Sequence, residues 1–179
     1  LEAKFGIHAS PTCTMSYGED GEDGGAVGFM LGEENRGLAA MFTMMNNERL
    51  AIGVQGVALA ERAYQQAASF ALERRQGRAL GDAEPGPSPI VRHADVRRML
   101  MVMKAQTEAV RAICYVDAAA IDLSRAHADD EVRTRAAGRV GVLTPIAKAF
   151  SSDIGCEVAA IGIQVHGGMG FIEETGAAQ

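Results

Sequence analysis

Six small residues, Gly53, Gly56, Ala60, Ala63, Ala67 and Ala71, recur along this chain at spacings of three and four. That period returns each residue to the same side of an α-helix, giving a bare stripe along which a second helix can approach closely. From Leu38, the positions Met41, Phe42 and Met45 extend a helical face in the same stretch. The pattern predicts one helix of about 38 residues, ending at the Gln76-Gly77 step.

Residues 77–92 hold Pro85, Pro87, Pro89 and several glycines, which predicts a loop between helices rather than a linker between domains. A second helix is expected from near His93 to Asp95 as far as about Ala128. Its apolar line runs through Val96, Met99, Leu100, Met103, Val110, Cys114 and Ile121. Asp129 and Asp130 supply capping side chains for a third helix, striped by Leu143, Ile146, Phe150, Ile154, Val158, Ile161 and Val165. Pro145 should kink this helix unless it restarts there with Thr144 as its cap. With a fourth helix beginning after Phe171, the expected fold is all-α, an up-and-down four-helix-type bundle.

The first 36 residues read differently. Thr12, Thr14 and Ser16 alternate with Cys13, Met15 and Tyr17, and residues 26–31 form a second short apolar run. The glycines and acids of 18–25 between them suggest an exposed hairpin loop. Residues 1–36 are therefore expected to be the end of a β-domain, a hairpin remnant that is marginal alone, and 37–179 a helical domain cut short at its C-terminus. A first residue of Leu1 fits a piece of a longer protein.

Composition narrows the function. Ala and Gly are abundant, Trp is absent and aromatics are 5%, as closely packed helices require. A net charge of −6 with scattered Lys and Arg offers no basic stripe for nucleic acid. No apolar run approaches the roughly 20 residues of a membrane span, and residues 1–20 lack a signal-peptide pattern, so a cytoplasmic location is expected. Cys13, Cys114 and Cys156 are odd in number and widely spaced, which indicates neither disulfides nor zinc. The four histidines have no i,i+4 partner, no Glu-x-x-His pair exists, and a Gly-x-Ser-x-Gly elbow and a phosphate loop are missing. No metal is expected.

The remaining signal is Gln164-Val165-His166-Gly167-Gly168-Met169-Gly170-Phe171. Three glycines in four positions stop a long helix and leave bare N–H groups that a flat or phosphorylated ligand can approach. The same residues also suit a simple C-cap and tight turn.

Together with three other segments, this stretch resembles the C-terminal part of the acyl-CoA dehydrogenase family. Lys4-Phe5-Gly6-Ile7 with the Ser10/Thr12 run looks like the end of the family's middle β-domain, and Gly32–Gly37 resembles its entry to the helical domain. Ala71-Leu72-Glu73-Arg74-Arg75-Gln76-Gly77 is similar to the Glu-Arg-x-x-Phe-Gly box, without its Phe, and 164–171 is similar to the Gln-x-x-Gly-Gly-x-Gly-Phe turn. His166 stands where the family usually has an aromatic or aliphatic residue. The four matches fall in family order across essentially the whole chain.

The resemblance implies a FAD-dependent dehydrogenation of an acyl-CoA thioester to the 2-enoyl-CoA, with electrons passed to an acceptor such as an electron-transfer flavoprotein. It implies a homodimer or tetramer in which Arg74, Gln76, Gln164, Val165, His166, Gly167 and Gly168 reach the FAD diphosphate region. An Arg at a helix end is otherwise a solvated partner of the helix dipole. The family's base is a Glu that most members carry a few tens of residues past the turn, which here falls beyond Gln179. Others carry it in the first long helix before Arg-Leu, where Glu48-Arg49-Leu50 stands; alone, Glu48 reads as a surface glutamate. Glu173 and Glu174 come too early. On this reading the isolated chain is inactive. An acyl-CoA oxidase of the same architecture and a non-enzymatic helical association module are the alternatives.

Overall fold

The computed structural model describes residues 1–18 and 24–178. Most of the expected loop between Gly18 and Gly25 thus lies outside the described residues. Two compact units emerge, Leu1–Ala40 and Met41–Gln179.

In the first unit no strand forms among the described residues, which corrects the expected β-hairpin remnant. The Ala26 N–H does reach the Tyr17 carbonyl at 2.7 Å, but the runs 12–17 and 26–31 carry no further ladder. Alternation supplies one apolar face, and without more strands or a helix to bury that face a two-stranded ribbon is marginal. Tyr17, Val27 and Phe29 are exposed.

Three long helices make up the rest: α1 (Gly37–Glu73), α2 (Ala94–Ala126) and α3 (Asp130–His166). The Asp129 carboxylate accepts the Glu131 N–H at 2.8 Å and starts α3 as a side-chain cap. α1 stops three residues short of the expected Gln76. There the chain leaves the helix for an antiparallel bridge between Arg75 and Pro89. α3 runs unbroken through Pro145. Thr144 is therefore no cap; its Oγ1 donates to Asp117 Oδ1 at 3.1 Å. The fourth helix expected after Phe171 does not begin within the described residues. Short 3-10 turns over Gly167–Phe171 and Glu173–Thr175 take its place. Gly176 lies in the left-handed region at φ 69°, and Thr175 Oγ1 donates to the Met169 and Ile172 carbonyls.

The small-residue stripe of α1 is the seam of the bundle. Gly53, Gly56, Ala60, Ala67 and Ala71 are buried, and Ala63 is partly buried against them. A Cβ on Gly155 would come 3.1 Å from Gly56 Cα, so the backbones of α1 and α3 touch there. This close approach corrects the stripe expected for α3. Ile146 and Phe150 are 47% and 40% exposed, while Thr144, Ala147 and Ser151 are buried. Only small side chains fit where two backbones meet, so the contact selects size over apolarity. Met103, Val110 and Cys114 carry the α2 line into the core, and Cys114 Sγ lies 3.4 Å from Ser151 Oγ.

Candidate functional site

α1 ends and α3 ends beside one cavity of about 610 Å³, a size typical of small-molecule sites. The end of α1 contributes Phe70, Arg74, Gln76 and Gly77. The entry to α2 adds Ile90, His93 and Val96, and the end of α3 adds Val165, His166, Gly167, Gly168 and Met169. Two sequence segments 90 residues apart, Arg74 with Gln76 and Val165 to Gly168, thus meet on one wall. Gln164 does not line the cavity; its side chain is exposed and its carbonyl accepts the Gly167 N–H.

Backbone bonds hold the Arg74 side. Arg74 N–H donates to the Phe70 carbonyl at 2.8 Å, and its own carbonyl accepts from Ile90 at 2.8 Å. Gln76 N–H donates to Ser88 at 3.0 Å, Ser88 N–H returns a bond to Gly77 at 2.8 Å, and Gly77 turns the chain at φ 61°. The loop behind this turn is braced by Asp82. Ser88 Oγ donates to one carboxylate oxygen, Arg92 Nη1 donates to the other at 2.8 Å, and the side chain is 7% exposed. The Ser88 hydroxyl and then the Arg92 guanidinium hold the Asp82 carboxyl at about 2, below the usual carboxylate range.

On the α3 side, Gly167 adopts φ 60° and ψ −137°, a conformation open to glycine. Gly168 has open space around its missing side chain, whereas a Cβ on Gly170 would lie 2.4 Å from the Ile163 carbonyl oxygen. Gly168 is thus bare toward the cavity wall, and Gly170 is bare for packing. His166 is buried, stacks on Phe70 with centroids 4.4 Å apart, and donates from Nδ1 to the Gly162 carbonyl at 2.8 Å. A carbonyl can only accept, so the neutral ring carries its proton on Nδ1 and has Nε2 as an acceptor.

The cavity lining contains Arg74, His93 and His166 and no acid. Among the described residues no hydrogen bond or ion pair engages the Arg74 guanidinium, which is exposed on the wall. An unpaired planar cation in one cavity with a side-chain-free turn suits an anionic group such as a diphosphate, because its fixed fork matches phosphate oxygens. These residues fit the diphosphate part of a dinucleotide cofactor.

Glu48 is elsewhere. It is exposed on α1, about 39 Å along the helix from Arg74 at 1.5 Å per residue. Its neighbours Asn47 and Leu50 line a second, open cavity of about 460 Å³ with Val54, Ile121 and Arg125. The residue that sequence reasoning missed is His93. It reads there only as the start of a helix, and nothing in its spacing signals that the 77–92 loop brings it back beside Gln76. Among the described residues no three His, Cys, Asp or Glu side chains gather as a metal set, and no helix is long and apolar enough to cross a membrane.

Comparison with known proteins places this geometry in a family. Residues 35–179 match the model of the acyl-CoA dehydrogenase C-terminal domain. All 179 residues align at 48% identity with 3-methylmercaptopropionyl-CoA dehydrogenase of Ruegeria pomeroyi, covering 29% of that protein. A butyryl-CoA dehydrogenase of Syntrophomonas wolfei is 38% identical over 180 aligned positions, 97% of this chain and 29% of the relative. The fold matches the butyryl-CoA dehydrogenase structure from Megasphaera elsdenii with a TM-score of 0.64 at 26% identity, over 83% of this chain and 34% of that one. The chain spans about 29% of the length of the two curated relatives. It belongs to the acyl-CoA dehydrogenase family, as part of that family's C-terminal helical domain.

Proposed function

We propose that the protein carrying this chain is a FAD-dependent acyl-CoA dehydrogenase, and that the Arg74 cavity receives the diphosphate of FAD held mainly by a neighbouring subunit. The observation that carries the reading is the unpaired Arg74 guanidinium in one cavity with the bare Gly167-Gly168 turn, in a lining without acids. Residues 1–36 would close the preceding β-domain and 37–179 form the helical domain. The substrate is an acyl-CoA thioester. Both curated relatives are named for short acyl groups, which makes a short chain the first to test.

Bound FAD supplies the hydride acceptor. The chain's own part is to bind and orient: Arg74 bonds phosphate oxygens, Gln76 and the turn border them, and Val165, His166 and Phe70 form the apolar, stacked flank. A carboxylate must remove the α-proton while the hydride leaves the β-carbon, yielding the 2-enoyl thioester. Glu48 is the candidate within this chain, on condition that flavin and substrate bury it in the assembled protein and so raise its proton affinity. Glu48→Gln in the full-length protein then abolishes flavin reduction by acyl-CoA; near-normal reduction removes it from the mechanism.

The assembled protein is a homo-oligomer, acts in the cytoplasm and hands electrons to an acceptor such as an electron-transfer flavoprotein. An oxidase of the same architecture would instead yield peroxide from oxygen during turnover. Exposed Met101 and Tyr115 on α2 and Ile146 and Phe150 on α3 favour an association surface alongside the cofactor role. The deciding experiment is Arg74→Ala in the full-length protein. FAD affinity should fall roughly tenfold or more, as for a lost bond to a charged group. Unchanged affinity overturns the reading.

A further inference from the structure

We infer that His93 is a positioning residue for the diphosphate clamp, acting through the carbonyl of Gln76. The inference rests on the cavity's role as the diphosphate site. His93 occupies the N-cap position of α2 yet makes no side-chain cap bond. Its ring turns instead across the loop, and Nε2 lies 2.9 Å from the Gln76 carbonyl oxygen. Because the carbonyl can only accept, Nε2 carries the proton and donates.

That bond does two things for the site. The Arg74–Gly77 turn is tied to residues 88–90 by bonds from Ile90, to Ser88 and from Ser88, and none of these engages the Gln76 carbonyl. His93 supplies the remaining tie and locks the peptide that follows Gln76, two residues past the anchor Arg74. Gln76 and His93 both line the cavity, and a bare carbonyl dipole beside an anion would repel it. Occupying it with an N–H turns an electrostatic liability into a saturated pair. The ring of His93 also backs the sharp turn, since a Cβ on Gly77 would meet its Cε1 at 3.7 Å.

The test uses the full-length protein and FAD as the probe, with Arg74→Ala measured alongside. His93→Phe keeps the ring volume and removes the donor; His93→Gln restores an N–H at the reach of Nε2. The expected result is a roughly tenfold weaker FAD affinity for His93→Phe, because the exposed carbonyl, hydrated in the FAD-free protein, is left without a donor once FAD covers it. His93→Gln should recover most of it, with the melting temperature of the FAD-free protein the same in all three. At saturating FAD, the KM for acyl-CoA should stay unchanged, since the clamp touches cofactor and not substrate. If His93→Phe binds FAD like the parent while Arg74→Ala does not, the diphosphate reading stands and the role of His93 is overturned. If His93→Gln fails to rescue, or affinity falls only in step with lost stability, the residue is merely structural and the inference again fails. If Arg74→Ala itself binds FAD normally, the reading beneath both is gone.

Discussion

Gly56 and Ser151 face each other across the α1–α3 seam so closely that a methyl group on Gly56 would lie 2.2 Å from the Ser151 carbonyl oxygen. The obstacle is backbone and cannot rotate away. Gly56→Ala should therefore force the helices apart and cost about 3 kcal/mol, the upper end for overpacking. For a chain of this size that lowers the melting temperature by roughly 6–12 °C. A scan showing a shift under about 2 °C would mean the seam yields more easily than its backbone contact implies.

The glycine turn allows fold and ligand to be separated. Gly168 faces open space and Gly170 does not. Gly168→Ala should leave stability within about 0.5 kcal/mol but weaken FAD roughly tenfold, by keeping phosphate from the main chain. Gly170→Ala should cost about 2 kcal/mol of stability through its clash with the Ile163 carbonyl. The opposite ordering, with Gly170→Ala harmless, would contradict the geometry.

Asp82 gives the loop a dependence on acid. Its carboxyl is held at about 2, from an ordinary 3.8, chiefly by Ser88 and then Arg92. A depressed value means the stabilisation is fully present above pH 3.8 and is lost as pH falls through about 2. Hydrogen exchange at the Ala79 amide, which donates to Ser88 Oγ, should accelerate through that window beyond its intrinsic pH dependence. In Asp82→Asn the same amide should exchange fast already at pH 5. Equal protection in both proteins would show that the brace contributes nothing.

Asp117 has the reverse sign. It is fully buried in α2, and among the described residues it has one bond, from Thr144, while its Oδ2 has no partner. Burial pushes its carboxyl above the usual range, against the opposing pull of the Thr144 bond. A raised value means the site favours the protein below pH 3.8 and costs stability as pH rises through the folded value. Asp117→Asn keeps an acceptor for Thr144 and removes the buried charge, so it should melt higher than the parent at pH 7, with the gain shrinking toward pH 4. A variant that melts lower at pH 7 would mean Oδ2 has an unseen partner.

Much of this was legible in the sequence, for identifiable reasons. The α1 stripe was, because Gly and Ala at spacings of three and four have one geometric use. Asp129 was, because its side chain acts on the next turn. The outer half of α3 was not: periodicity reads apolar character and chose Ile146 and Phe150, whereas contact with α1 selects the smallest side chains, Ala147, Ser151 and Gly155. The strand pattern at 12–17 failed because pairing is a property of partners, not of alternation. In the candidate site, the residue types of Arg74 and the glycine turn could be named in advance. Their meeting in one cavity, and the return of His93 to Gln76, depend on how residues 77–92 close, and no local spacing encodes that.

The bare crossing at Gly56 and Gly155 has a bearing on the distant cavity. With no side chains between the two rods, there is nothing compressible to absorb a shift, and from that fulcrum α1 runs out to Arg74 and α3 to Gly167 like the legs of a caliper. The gape between guanidinium and turn is then set about five helical turns away along α1 and about three along α3, so a methyl group added at the pivot would be felt at the tips.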